Sequence, residues 1–287
     1  MISKVLVTGA NGQLGRTVRE LYERDTSIDF VFTTKQELDI TQNQRLETFF
    51  ENSKFDYCIN CVAYTNVEQA ELHPDLAFKV NTEGVKNIAR ECKKHEVVLI
   101  HISTDYVFDG KKQTPYVEDD VPNPINQYGK SKLAGETYIR EILEKYFIVR
   151  TSWLYSKYGN NFLKTIIRKI KDKEQLQITT SQRGTPTSCS DLSEFIVYLI
   201  KNKTSKFGIY NFSALGETTW YGYAMEICKH FSAYDCKKII PVNTFTSRVK
   251  RPDYSILDNT KTARVFKTKI LWQKSVNKTV NALIGKH

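Results

Sequence analysis

The chain has 287 residues with 42 Lys+Arg against 32 Asp+Glu, a formal charge of +10, and it is 40% hydrophobic and 26% charged. Those proportions exclude collagen-like, mucin-like and disordered chains, and at about 100–200 residues per domain the length fits one large domain or a main domain with a smaller partner. No run approaches the roughly 18 apolar residues that a membrane crossing requires, and the amino end passes from a short apolar segment straight into glycines, so the expectation is a cytoplasmic protein with no membrane partner.

The first half alternates short apolar runs with longer segments of helical spacing, the pattern of successive βαβ units around a parallel sheet. Strands are expected at 4–8, 29–33, 57–60, 97–103 and 146–150, and helices at 12–24, 42–52, 75–94 and 127–144. Beyond residue 151 the rhythm loosens. Helical segments at 160–171, 191–202 and 220–231 are separated by apolar runs at 208–212 and 238–241, and residues 181–190 read as a polar loop turning at Gly184 and Pro186. The fold class expected is α/β: a Rossmann-type doubly wound parallel sheet in residues 1–150, and a smaller mixed α/β lobe in 151–287 with some segments packing back on the first. Ligands of such sheets bind beyond the carboxyl ends of the strands.

The six cysteines, Cys58, Cys61, Cys92, Cys189, Cys228 and Cys236, are scattered singly through a chain too long to need disulfide staples, so reduced thiols are expected. Cys58 and Cys61 have redox-motif spacing but lie along a strand, not at a helix amino end that would stabilise a thiolate. His73, His95, His101, His230 and His287 share no ligand spacing, so no metal site is expected. The positive charge is uneven: residues 229–287 hold 13 Lys+Arg against 3 Asp+Glu, which accounts for the whole surplus. With no reading module beside it, this basicity does not imply a nucleic-acid partner; a solvated face, or one that attracts phosphorylated small molecules, explains it better.

Chemistry is concentrated in three motifs. Gly9-Ala10-Asn11-Gly12-Gln13-Leu14-Gly15 follows the first strand and opens the first helix, where glycines let the backbone approach a dinucleotide pyrophosphate held by free helix amides. The second strand ends without the acid that reads an NAD ribose; Lys35 and Arg16 are either contacts to a 2′-phosphate or solvated surface groups, and on the first reading NADPH is expected, with NADH as the alternative. Asp39 is either a cap near the following helix or a contact to the adenine edge. Tyr128 and Lys132 lie four apart on one helical face, where a cation lowers the pKa of a phenol and suits it to acid–base work. Thr104 follows the fourth strand and places a hydroxyl at the sheet's carboxyl edge, ready to bond the carbonyl oxygen that Tyr128 would protonate.

With GANGQLGR, LDIT, INCVAYTNVEQAE, VNTEGVKNIA, STDYVFDG, YGKSKLAGE, IVRTSWLY, GTPTS and RPDYSILD spread almost end to end, the chain resembles the extended short-chain dehydrogenase/reductases, and within them the dTDP-4-dehydrorhamnose reductase branch. The resemblance implies reduction of the C4 keto group of dTDP-4-dehydro-L-rhamnose by Thr104, Tyr128 and Lys132. It implies a cofactor site of Gly9, Asn11, Gly12, Gln13, Leu14, Gly15, Asp39, Ile40, Ala63, Tyr64, Tyr128 and Lys132. It further implies that Thr65, Val67, Asp105, Tyr106, Phe108 and Trp153 face the sugar nucleotide, and it admits a homodimer. Val62 replaces the smaller Ala of many relatives. Tyr106 after Asp105 breaks the Asp-Glu pair that related dehydratases use, and the strand end differs from that of related epimerases. Two alternatives stay open: a reductase of another nucleoside-diphosphate 4-keto sugar, and a non-catalytic NADP-binding regulatory subunit.

Overall fold

The computed structural model describes residues 2–243, 249–267 and 270–285, so His287 lies outside the described residues. Five strands come from the first half: β1 (Ser3–Thr8), β2 (Ile28–Thr33), β3 (Tyr57–Asn60), β4 (Val98–Thr104) and β5 (Tyr146–Thr151). The strand Gly208–Asn211 joins them as a sixth, beside β5. The sheet order is Gly208–Asn211, β5, β4, β3, β1, β2, with every pairing parallel. A parallel sheet is covered on both faces, which is why Val5, Leu6, Val7, Cys58, Ile59, Leu99 and Ile100 are all fully buried and the strands read as continuous apolar runs.

The helices α1 (Gln13–Tyr22), α2 (Asn43–Glu51), α3 (Val67–Leu72), α4 (Pro74–Phe78), α5 (Val85–Lys94) and α6 (Gln127–Ile142) follow in chain order. The helix expected over 75–94 is interrupted: six residues, Lys79–Gly84, form a π turn between α4 and α5. Within it, Asn81 accepts from the Tyr64 amide at 2.8 Å and donates to the Tyr64 carbonyl and the Ser131 hydroxyl. Tertiary hydrogen bonds thus occupy a residue that local periodicity would place in a regular turn. α3 was not expected from the sequence; its start is capped by the Asn66 side chain, which accepts from the Gln69 amide.

In the second half, α7 (Phe162–Lys171), α8 (Cys189–Lys201) and α9 (Trp220–Cys228) match expected helices. α8 belongs to the main sheet: Leu192, Phe195, Ile196 and Leu199 share one core with Val5, Val7, Ile100 and Val149. A separate core gathers Leu163, Ile166, Ile170, Tyr223, Ala224, Ile227, Trp272, Val276 and Val280. Its last members lie on the helix Trp272–Ile284, which the sequence reading missed although Trp272, Val276 and Val280 repeat every four residues; Gly285, at φ +71°, ends it in the left-handed conformation that glycine adopts freely. The expected loop 181–190 carries two short strands, Arg183–Gly184 and Thr187–Ser188.

One cysteine expectation is overturned. Cys228 and Cys236 form a disulfide, while Cys58, Cys61, Cys92 and Cys189 are free. Cys228 is the last residue of α9, and the chain turns back there to bring Cys236 within bonding range at a separation of eight residues.

Candidate active site

The strand order reverses between β1 and β3, and the loops leaving those strands meet there, the position at which open parallel sheets bind ligands. Gly9 has φ +71°, and a Cβ on it would lie 3.0 Å from the Val62 amide nitrogen, so the two loops touch at backbone distance. A Cβ on Gly15 would lie 2.5 Å from the Gly9 carbonyl oxygen and 2.7 Å from Ala10 Cα. Gly12 caps α1 with no side-chain hydrogen bond and donates its own amide to the Gly9 carbonyl at 2.9 Å. The first-turn amides of α1 therefore open onto bare glycine backbone at the positive end of the helix, a seat for an anion such as a pyrophosphate.

A cleft of about 580 Å³ extends from this turn across the sheet edge. Of the expected residues, Asn11, Gly12, Gln13, Leu14, Ala63, Thr65 and Val67 line its first part, and Thr104, Asp105, Tyr106, Tyr128, Lys132 and Trp153 line the rest. Gly9 and Gly15 shape the turn beneath. Tyr64 is tied by its backbone to Asn81, and Ile40 is buried under Gly84. The Asp39 carboxylate accepts from the Thr41 amide and hydroxyl, both at 2.9 Å. Phe108 stands apart: it is fully buried, stacked on Tyr116 at 4.2 Å in a small core with Val107 and Tyr254, and does not line the cleft. Arg16 is exposed with its guanidinium 4.1 Å from the Tyr158 ring.

The sequence reading named Trp153 but missed its partners on the far wall. Trp220 stacks on Trp153 at 3.6 Å with planes 7° apart, and Phe162 packs on Trp220 at 4.6 Å. Trp153 has φ +44°, and a Cβ on Gly184 would fall 2.5 Å from its indole, so Gly184 in the GTPTS segment makes room for this ring. Asn161 caps α7 and donates to Gln13 Oε1 at 2.8 Å, joining the glycine turn to the second half of the chain. The segment 249–253 is tied to α3 and to the start of α6: Asn126 donates to the Lys250 carbonyl, and Arg251 pairs with Glu68 at 2.7 Å. No local periodicity marks these residues, because elements far apart in the chain bring them together.

The electrostatics of the cleft favour the protonated form of one buried phenol. Burial pushes the Tyr128 phenol up to about 12; the Thr104 hydroxyl beside it offsets part of this and the Asp105 charge adds to it. The Lys132 Nζ, expected to lower the phenol, is directed at the Ile102 carbonyl, 2.7 Å away, and at His101. Tyr128 is thus a protonated phenol throughout the neutral range. Thr104 donates to Asp105 Oδ1 at 3.0 Å and accepts from the Tyr106 amide at 3.2 Å. Burial raises the Asp105 carboxyl to about 7, partly offset by the Ser255 and Thr104 hydroxyls. The thiol of Cys61, on the cleft floor, is raised by burial, which disfavours a reactive thiolate.

The raised Asp105 carries a stability consequence. Between the unfolded value of 3.8 and about 7 the folded chain keeps a proton that the unfolded chain releases, so the unfolding free energy falls as pH rises through that window, by on the order of 4 kcal/mol. Urea unfolding at several pH values should show this slope in the parent and lose it in Asp105→Asn; identical slopes would refute the assignment.

Comparisons with known proteins bear on the chain as a whole. The profile of the family described as RmlD substrate binding domain matches residues 3–284. A dTDP-4-dehydrorhamnose reductase from Aggregatibacter actinomycetemcomitans is 36% identical over 275 residues, covering 92% of this chain and 94% of that protein. A dTDP-4-keto-6-deoxy-D-glucose reductase from Streptomyces niveus is 34% identical, covering 90% of this chain and 89% of its own length. The crystal structure of dTDP-4-dehydrorhamnose reductase from Bacillus anthracis in complex with NADP is 38% identical with a TM-score of 0.92, covering 97% of this chain and 99% of that one. Family profile, sequence identity and fold thus coincide over nearly the whole length, and the chain belongs to the dTDP-4-dehydrorhamnose reductase family of oxidoreductases.

Proposed function

We propose that this chain reduces the C4 keto group of dTDP-4-dehydro-L-rhamnose with NADPH, giving dTDP-L-rhamnose. The observation that carries the reading is the single cleft in which a protonated Tyr128 phenol, the Thr104 hydroxyl and the open amino end of α1 face one another. When bound, NADPH supplies a hydride to the keto carbon. The Gly9–Gly15 turn and the first-turn amides of α1 would hold its pyrophosphate, and Lys132 would hold its nicotinamide ribose. Tyr128 gives its proton to the keto oxygen as charge builds there and regains it from solvent. Thr104 turns its hydroxyl proton from Asp105 to the same oxygen and fixes its distance from the phenol. Trp153, Trp220 and Phe162 present an apolar wall to the sugar ring and its methyl group. The second half of the chain contributes this wall, which supports its role as the substrate lobe.

The relative that acts on dTDP-4-keto-6-deoxy-D-glucose favours a second reading, reduction of a different 4-keto sugar nucleotide. Purified protein should be given NADPH or NADH with a panel of 4-keto sugar nucleotides, following loss of reduced-nicotinamide absorbance. Turnover is expected to be fastest with dTDP-4-dehydro-L-rhamnose and NADPH. Faster turnover of another sugar would select the second reading, and no oxidation with any of them would indicate a non-catalytic NADP-binding subunit.

Gly15→Ala tests the cofactor seat. The added methyl meets backbone, which cannot swing aside, so NADPH affinity should fall tenfold or more and stability by about 1–3 kcal/mol. Unchanged affinity in a fluorescence titration would place the pyrophosphate elsewhere.

A further inference from the structure

Three polar side chains stand abreast across the sheet beneath the cleft. The strand register pairs Thr8 with Asn60 and Asn60 with His101, and all three are buried. Asn60 Oδ1 accepts from the Thr8 hydroxyl at 2.8 Å and from the Val62 amide at 3.1 Å. A backbone N–H can only donate, so the Val62 contact fixes which end of the Asn60 amide is the oxygen. The Asn60 NH2 is then the group 3.1 Å from His101 Nδ1, and Nδ1 must accept. A neutral imidazole that accepts at Nδ1 carries its proton on Nε2. That Nε2 lies 3.2 Å from Lys132 Nζ.

We propose that Asn60 and His101 act as a tautomer lock that presents an N–H to Lys132 and so favours its amine over its ammonium. An ammonium has three donors and no acceptor, and opposite Nε2–H it leaves a buried donor unmatched. The amine accepts that proton and still donates to the Ile102 carbonyl, 2.7 Å away. Burial works in the same direction, holding the Lys132 amine down at about 8 and keeping His101 neutral. Glu136, one turn along α6, pulls the other way, but its carboxylate is already held by Arg150 on β5 and Ser103 on β4. Among the described residues, Tyr128 on α6, Asp105 and Tyr106 after β4 and the Cys61 thiol after β3 also line this end of the cleft, and all four are raised towards their protonated forms. His101 and Asn60 are therefore positioning residues for the proposed reduction: they set the pH at which Lys132 gives up the charge that would hold the cofactor ribose.

This inference rests on Lys132 serving the reduction, but its first test needs no turnover. In histidine 15N-labelled full-length protein, with the His101 signals assigned by their loss in His101→Gln, Nδ1 should be unprotonated and Nε2 protonated across the neutral range. A proton on Nδ1 would overturn the lock even if the protein proves an active reductase. The second test is Asn60→Asp, whose carboxylate accepts from Nδ1–H and frees the Nε2 lone pair for the Lys132 ammonium. The tautomer should flip, and the alkaline fall of kcat/KM should move up by about one pH unit, a tenfold gain in proton affinity. A fall in amplitude with an unmoved limb would assign Asn60 a structural role. A limb that moves while Nε2 keeps its proton would mean that charge alone acts, and would equally overturn the proposal. Should Asn60→Asp not fold, the tautomer of the parent protein decides.

Discussion

Tyr128→Phe is expected to lower kcat by about 10²–10⁴, the range over which a positioned general acid contributes, while NADPH affinity stays within a few-fold of the parent. The substitution removes one hydroxyl and keeps the ring, which packs edge-on against Tyr106 at 5.8 Å, so the cleft keeps its shape. The phenol sits at about 12 because burial disfavours the phenolate. It is therefore loaded with its proton at neutral pH, as a donor to a developing alkoxide requires, and the parent's activity should not fall through Tyr128 ionisation until well above neutrality. Steady-state turnover with the 4-keto sugar, paired with an NADPH titration, separates the two effects. Near-parental kcat would remove Tyr128 from the chemistry, and a parallel loss of cofactor binding would make its role structural.

The second large effect lies behind the site. Arg150 on β5 and Glu136 on α6 are each 1% exposed, and they meet through Arg150 Nε at 3.1 Å from Oε1 and Nη2 at 2.7 Å from Oε2. Ser103 donates to the same carboxylate, and Arg150 also donates to the Glu118 carbonyl. Two charges this deep are tolerated only as a matched pair. Glu136→Ala leaves a guanidinium without its counter-ion, and urea unfolding should show a loss of about 3–5 kcal/mol. Replacing both, as Glu136→Leu with Arg150→Met, should recover most of the loss, since the desolvation cost leaves with the charges. A single-variant loss below about 1 kcal/mol would show that water reaches the pair.

Both effects start from α6, yet the sequence treats them differently. Tyr128 and Lys132 stand out because a fixed spacing on one helix face puts them together whatever surrounds them. Glu136 and Arg150 do not, since their pairing depends on how α6 lies against β5. The same division runs through the site. The glycine turn was legible because its demands are local: a left-handed Gly9 and a helix amino end close behind a strand. The wall of Trp153, Trp220 and Phe162 was only partly legible, because one ring comes from the end of β5 and two from helices that meet it in space. Phe108 is the converse case: the resemblance sets it against the substrate, while in the fold it is buried and stacked on Tyr116.

The chain's own order of residues determined what short-range physics can enforce: alternating apolar runs and helical stripes, the Gly9–Gly15 turn, the strand-end Thr104 and the one-turn spacing of Tyr128 and Lys132. Tertiary structure decided the rest. It joined the Gly208–Asn211 strand to the main sheet, broke the helix at Asn81, closed Cys228 on Cys236 and turned Lys132 towards His101. The reason is one of range. Backbone propensity and periodicity act over a few residues, whereas burial, charge pairing and proton placement depend on neighbours that only the folded chain brings within a few ångströms.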